Sequence, residues 1–304
     1  MQTGGRTDLA VELKEGLQAG DECQNGMSCR EEFHKHKNVH VSTVVISDEE
    51  AAKVMGKQIG TYITVEAPGL SGADEKRRRY VAEILAEKLL LLTGKTEGKS
   101  ILVVGLGNRE ATPDALGPLT IDGLVVTRHL ILELGASFRE KYHLTSFFAV
   151  AAGVLAQTGM ESGEMVKGIV NELKPDLVIA IDALAARSTG RLGTTVQLTD
   201  TGIYPGAGIG NNRQALNRAT LGVPVIAVGV PTVVDAATIV QERIGQFLKK
   251  TGVSEEEWNR FCDETGNGEQ KALFVTPKGI DELVHQAGDT IADAINICFC
   301  KELV

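Results

Sequence analysis

Two carboxylates stand out by where they fall. Asp182 follows the unbroken apolar run Leu177-Val178-Ile179-Ala180-Ile181, and Asp114 follows the run ending at Gly105, by way of Gly105-Leu106-Gly107-Asn108 and Thr112-Pro113-Asp114-Ala115-Leu116-Gly117. Continuous apolar runs bounded by turn residues are how strands buried on both faces of a parallel sheet read, and such sheets bind ligands outside the carboxyl ends of their strands. Two aspartates brought close there cannot easily both ionise, because a nearby like charge raises one pKa. One stays protonated while the other takes a proton from water, the division of labour that peptide hydrolysis by paired acids requires. The plainer alternative is that Asp114 caps the next helix and Asp182 closes a strand-end turn, and sequence position leaves both readings open.

Other chemistries leave weaker marks. Gly105-Leu106-Gly107-Asn108 after a strand resembles a nucleotide-binding turn, but the third glycine of GxGxxG is absent and Asp114 would repel a phosphate. The loop Pro205-Gly206-Ala207-Gly208-Ile209-Gly210-Asn211-Asn212 could cradle a ligand or simply turn the chain. A nucleotide-binding protein using Gly105, Gly107 and that loop is therefore one rival reading. No GxSxG elbow offers a serine nucleophile. His34, His36 and His40 share a polar stretch without the Glu of an HExxH helix. The cysteines Cys23, Cys29, Cys262, Cys298 and Cys300 form no CxxC pair, which argues for reduced, structural thiols.

The elements that must position these residues follow from hydrophobic patterning. With 43% hydrophobic but only 4% aromatic residues, the core must be aliphatic, as in a parallel sheet covered by helices. Strands are predicted at Val41 to Ile46, Tyr62 to Glu66, Ser100 to Gly105, Ser146 to Ala151, Leu177 to Ile181 and Pro224 to Val230. A further strand, Thr194 to Leu198, alternates with polar residues and reads as an edge. Helices are predicted at Asp74 to Leu92, Thr120 to Leu134, Ser162 to Leu173, Val234 to Lys249 and Lys278 to Cys300. The first 40 residues are polar and read as a loosely structured leader. The fold class is α/β, an open, mostly parallel twisted sheet with helices on both faces. A net charge of −9 argues against a general nucleic-acid binder, and the cluster Lys76-Arg77-Arg78-Arg79 reads as a solvated helix face. No secretory signal is expected at Met1, and no apolar run approaches the roughly 20 residues that span a bilayer.

The ordered motifs Leu102 to Asn108, Ala111 to Pro118, Val126 to Leu130, Ile179 to Ser188, Asp200 to Gly206, Gly208 to Asn211 and Val228 to Ala236 together resemble the germination proteases of spore-forming Firmicutes. The resemblance runs from Arg6 to Lys249 and resumes at Val275-Thr276-Pro277-Lys278. It implies an atypical aspartic endopeptidase with a fold similar to the hydrogenase-maturation endopeptidases, acting on small acid-soluble spore proteins during germination. Its two essential aspartates match Asp114 and Asp182, and Asn108 and Asp235 are supporting candidates. It further implies a zymogen whose leader, Arg6-Thr7-Asp8-Leu9-Ala10-Val11-Glu12, is cut between Asp8 and Leu9, so that residues 1–8 are a propeptide and residues 9–304 a single peptidase domain. The substrates are similar at their cleavage site, with an acidic residue, a large apolar one, Ala, any residue and Glu. A homotetramer in the cytoplasm of the forespore or spore core is implied, with no cofactor, no membrane and no direct nucleic-acid contact. Maturation endopeptidases bind a metal through an acidic pair and a histidine. His129 and His143 belong to a helix and its exit, so a metal is not expected here, although Asp235 could supply a third carboxylate. A metal-dependent maturation protease remains the third reading. Between Lys249 and Val275 the chain is shorter than a typical family member.

Overall fold

The computed structural model describes residues 7–16, 26–70, 72–142, 144–206, 214–251 and 273–300. Arg6, Cys23, His143, Cys262, the loop from Ala207 to Asn212 and the acidic stretch between Thr251 and Leu273 lie outside the described residues. Nine strands join one sheet: β1 (Met27–His34), β2 (Val39–Ile46), β3 (Gly60–Glu66), β4 (Ser100–Leu106), β5 (Ser146–Gly153), β6 (Leu177–Ala186), β7 (Thr195–Thr199), β8 (Val225–Asp235) and β9 (Phe274–Val275). Their order is β1-β2-β3-β7-β8-β6-β4-β5, with β9 added to β8.

The α/β class is as expected, but the sheet is mixed rather than mostly parallel. Parallel pairing is confined to β5-β4-β6-β8, the strands with continuous apolar runs. The other half, β1 to β3 with β7, is antiparallel throughout. The reason is local. Only a single 3-10 turn, Lys35–Lys37, and left-handed Asn38 separate β1 from β2, and so short a link can join only antiparallel strands. β1 and the helix α1 (Ala10–Glu15) also show that the described parts of the polar leader include regular structure. Polar composition misleads there because α1 buries Ala10 and Val11 and uses Glu12 as a buried ligand, while β1 is an exposed edge strand.

Side chains of the parallel strands alternate across the sheet between two of the three buried clusters. Ile101 and Val103 of β4 and Ile179 and Ile181 of β6 face one cluster, packed with α3 (Glu75–Thr93), α4 (Leu116–Asp122) and the helix Ile280–Phe299. Leu102, Val104, Val178 and Ala180 face the other, covered by the helix Ser162–Leu173 and, on its leader side, by Leu9 and Val11. The helix predicted over Thr120 to Leu134 is broken at Gly123. Asn296 explains the break: its amide accepts the Val125 N–H at 2.9 Å and donates to the Gly123 carbonyl at 2.9 Å, supplying the hydrogen bonds that a continued helix would have made. The segment resumes as a second helix, Arg128–Leu134.

β7 is not an edge. It runs between β3 and β8 with all five residues buried. Its polar alternation has another origin, because Gln197 faces a cavity in which it has specific partners.

Candidate active site

Asp114 closes a 3-10 turn, Thr112–Asp114, that folds back against the end of β4. Glycine permits this approach. Gly107 has φ +102°, and a Cβ there would lie 2.0 Å from the Asp114 carbonyl oxygen. A Cβ on Gly105 would lie 2.5 Å from the Gly117 carbonyl oxygen. The glycines thus let chain approach chain, and the Asn108 N–H that a phosphate would need donates to Asp114 Oδ2 at 2.7 Å. Asp114 does not cap α4, whose N-cap position is Ala115 with no side-chain cap.

Asp182 lies inside β6 rather than beyond its end, since the strand continues to Ala186 with a register shift after Leu184. It is 6% exposed, and its Oδ1 accepts the Ala183 N–H at 2.9 Å. Asp114 and Asp182 line one cavity of about 680 Å³. Asp8, Lys57 and Gln197 line it too.

Asp8 of the leader sits in this cavity, held on β6. Asp8 N–H donates to the Ala185 carbonyl at 2.9 Å, and Ala185 N–H donates to Asp8 Oδ2 at 2.9 Å. β6 therefore carries Asp182 and, three residues on, the group that holds Asp8. Leu9 and Ala10 are fully buried. The Glu12 carboxylate is also fully buried, and accepts the N–H groups of Arg187 at 2.7 Å and Ser188 at 2.9 Å, together with the Thr7 hydroxyl. Arg191 lies 3.4 Å from it and also pairs with Glu15 and Glu66. A buried carboxylate is tolerated where such charge-assisted hydrogen bonds replace its water.

Two residues in the site were not picked out from sequence. Lys57 follows Gly56, which ends the helix Glu49–Met55 in a left-handed turn, and its Nζ donates to the Asp8 carbonyl at 2.9 Å. Gln197 Nε2 donates to the same carbonyl at 3.0 Å, while its Oε1 accepts the Ala10 N–H at 2.7 Å. Burial pushes the Lys57 ammonium below its ordinary pKa, partly opposed by the Asp8 charge. Burial pushes the Asp8 carboxyl up, opposed by the Ala185 N–H and by Lys57. A lone glycine-capped lysine and one polar strand residue carry no sequence pattern that would have marked them.

The supporting candidates fall elsewhere. Asn108 contributes its backbone N–H to Asp114, but its side chain accepts from Glu110 N at 3.0 Å and Gln157 Nε2 at 2.6 Å. Asp235 accepts the Ala237 N–H at 2.8 Å at the start of the helix Ala236–Thr251 and does not line the cavity. His34 pairs with Tyr80 at 3.0 Å, and His40 lies between Glu31 and Glu66. Among the described residues no histidine or cysteine lines the cavity, and no three His, Cys, Asp or Glu side chains are grouped to hold a metal ion. Burial pushes the Cys298 thiol up to about 12 and the Cys300 thiol up to about 11, as suits structural cysteines. Among the described residues no helix is long and apolar enough to cross a membrane.

Known proteins of similar sequence are germination proteases. The chain is 42% identical to the germination protease of Caldanaerobacter subterraneus subsp. tengcongensis, covering 97% of this chain and 94% of that one. It is 40% identical to the germination protease of Clostridium acetobutylicum, over 96% and 94% of the two chains. The match to the Bacillus cereus (strain G9842) germination protease is 43% identical over 84% of this chain and 70% of that one. Among solved structures, a NiFe hydrogenase maturation protease, HycI from Thermococcus kodakarensis KOD1, aligns over 70% of this chain and 99% of its own at 18% identity, with a TM-score of 0.35. Residues 6–267 match the germination protease family, and with relatives this similar over nearly the whole length, the chain belongs to that family and is a peptidase.

Proposed function

We propose that this peptidase is an endopeptidase made as a zymogen, which cuts its own chain between Asp8 and Leu9 and then cuts small acid-soluble spore proteins at a similar sequence. The observation that carries this reading is that Asp8 lines the same cavity as Asp114 and Asp182, with Leu9, Ala10 and Glu12 buried behind it. The residue types at the proposed cleavage site are those with specific seats: acidic Asp8 on Ala185, apolar Leu9 in the core, small Ala10 against Gln197, and Glu12 on the Arg187 and Ser188 amides. The leader is thus held as a substrate in cis.

In the reaction, water adds to the Asp8 carbonyl carbon and gives a proton to whichever of Asp114 and Asp182 is ionised. The carbonyl oxygen becomes an oxyanion. Its collapse breaks the C–N bond, and the Leu9 nitrogen takes a proton from the protonated aspartate, leaving a main-chain carboxylic acid at Asp8, an amine at Leu9 and one proton still on the aspartate pair. The expected test result is conversion of the purified full-length chain, in mild acid, to a form beginning at Leu9 by intact mass and N-terminal sequencing. Asp114→Asn and Asp182→Asn should each stay full-length. A terminus elsewhere, or conversion that persists in Asp182→Asn, refutes the reading.

A further inference from the structure

We infer that Lys57 and Gln197 are catalytic residues of this peptidase, forming the pair of donors that polarises the carbonyl being cut and holds its oxyanion. The inference rests on the proposal that Asp8–Leu9 is a cleaved bond. Hydrolysis of that bond concentrates negative charge on the Asp8 carbonyl oxygen, and this one atom receives both Lys57 Nζ at 2.9 Å and Gln197 Nε2 at 3.0 Å. Donors aimed at the atom where charge develops are worth more in the transition state than in the ground state, so they accelerate the step rather than merely bind.

The two donors have complementary jobs. Gln197 spans the bond to be cut, with Nε2 on the Asp8 carbonyl and Oε1 on the Ala10 N–H. That second contact fixes which end of the amide faces the carbonyl. It also holds the peptide on the far side of Leu9 in register. Lys57 brings the full charge. Its position is set by backbone, because the Lys57 N–H bonds the Ala52 carbonyl at 3.1 Å and the Gly56 N–H bonds the Lys53 carbonyl at 3.3 Å, the paired bonds of a glycine-ended helix. Tucking the ammonium into the cavity, where burial already presses against its charged form, makes an oxyanion its natural partner. The donors therefore come from the antiparallel half of the sheet and the helix before β3, while the aspartates come from β6 and the turn after β4.

The test follows self-conversion of the full chain by intact mass as a first-order rate. Lys57→Ala should slow conversion by about a hundredfold or more, the effect of removing one oxyanion donor. Added propylammonium, which replaces the missing stem and charge, should restore part of the rate, and Lys57→Arg should retain part of it. Gln197→Glu keeps the acceptor for Ala10 but not the donor to Asp8, and should also be slow. A wild-type rate in Lys57→Ala or Gln197→Glu overturns the inference, as does a loss in Lys57→Ala that neither propylammonium nor Lys57→Arg reverses. If the unsubstituted chain never yields a terminus at Leu9, the proposed cleavage site fails instead, and that outcome is read independently of the variants.

Discussion

Replacing Glu12 with Ala should release the leader from the cavity while leaving the rest of the fold intact. The carboxylate is fully buried and accepts the backbone N–H groups of Arg187 and Ser188, at 2.7 and 2.9 Å, and the Thr7 hydroxyl. Hydrogen bonds to a charged group contribute about 1.5–3 kcal/mol each, and the two stranded amide donors would add a desolvation cost unless water reaches them. Losing one partner of such an arrangement costs about 3–5 kcal/mol. Arg191 is not stranded, because Glu66 of β3 remains beside it at 2.8 Å when α1 and its Glu15 leave. Burial of Leu9, about 2 kcal/mol, still favours docking, so the leader loosens without the core unfolding. At about 1.4 kcal/mol per tenfold, the undocked fraction should rise from about a hundredfold to a few thousandfold. Hydrogen exchange read at the amides of Asp8, Ala10, Arg187 and Ser188 should speed up by that factor, with the amides of β4 and β6 core residues unchanged. Self-conversion should slow in parallel, since the bond to be cut spends less time in the site. Unchanged protection at Ala10 and Arg187 in Glu12→Ala would refute the argument that this carboxylate anchors the leader.

Leu9→Asp should block conversion, because a side chain now fully buried would carry an unpaired charge into an apolar seat, and a chain that still converts at the normal rate would contradict this. Docking should also depend on pH. The Asp8 carboxyl titrates above its ordinary 3.8 when docked, so its contribution is full below that value and fades as the pH rises through the raised one. Intrinsic-rate-corrected exchange protection of Ala10 should therefore be greater at about pH 4 than at about pH 7, and the opposite trend would count against burial as the cause. Gly107→Ala should cost at least about 2 kcal/mol in urea unfolding, since φ is +102° and the new Cβ would meet the Asp114 carbonyl oxygen. An unchanged midpoint would mean that the turn relaxes freely.

How much of this was legible beforehand depends on the range of the interaction. Apolar runs and periodicity identify the parallel strands β4, β5, β6 and β8 and the helices that cover them, because burial on both faces leaves an unbroken signature. The same runs place Asp114 and Asp182 at one end of the sheet. Family motifs point to Asp8 and Leu9. Polar composition, by contrast, hides α1 and β1, because a buried carboxylate such as Glu12 reads in sequence like a solvated one. The strand β7 reads as an edge for the same reason, although Gln197 is polar toward the cavity and not toward water. Sequence by itself determined the α/β class and the family, which rest on local pattern and on motif, and it singles out Asp114 and Asp182 as the candidate acids. Only the tertiary structure decided that β7 lies inside a mixed sheet, that Asp235 holds the start of a helix without lining the cavity, and that Lys57 and Gln197, 140 positions apart in the chain, meet on the Asp8 carbonyl. Contacts of that kind depend on how strands cross and which face each residue takes, and neither is written in the spacing of residues along the chain.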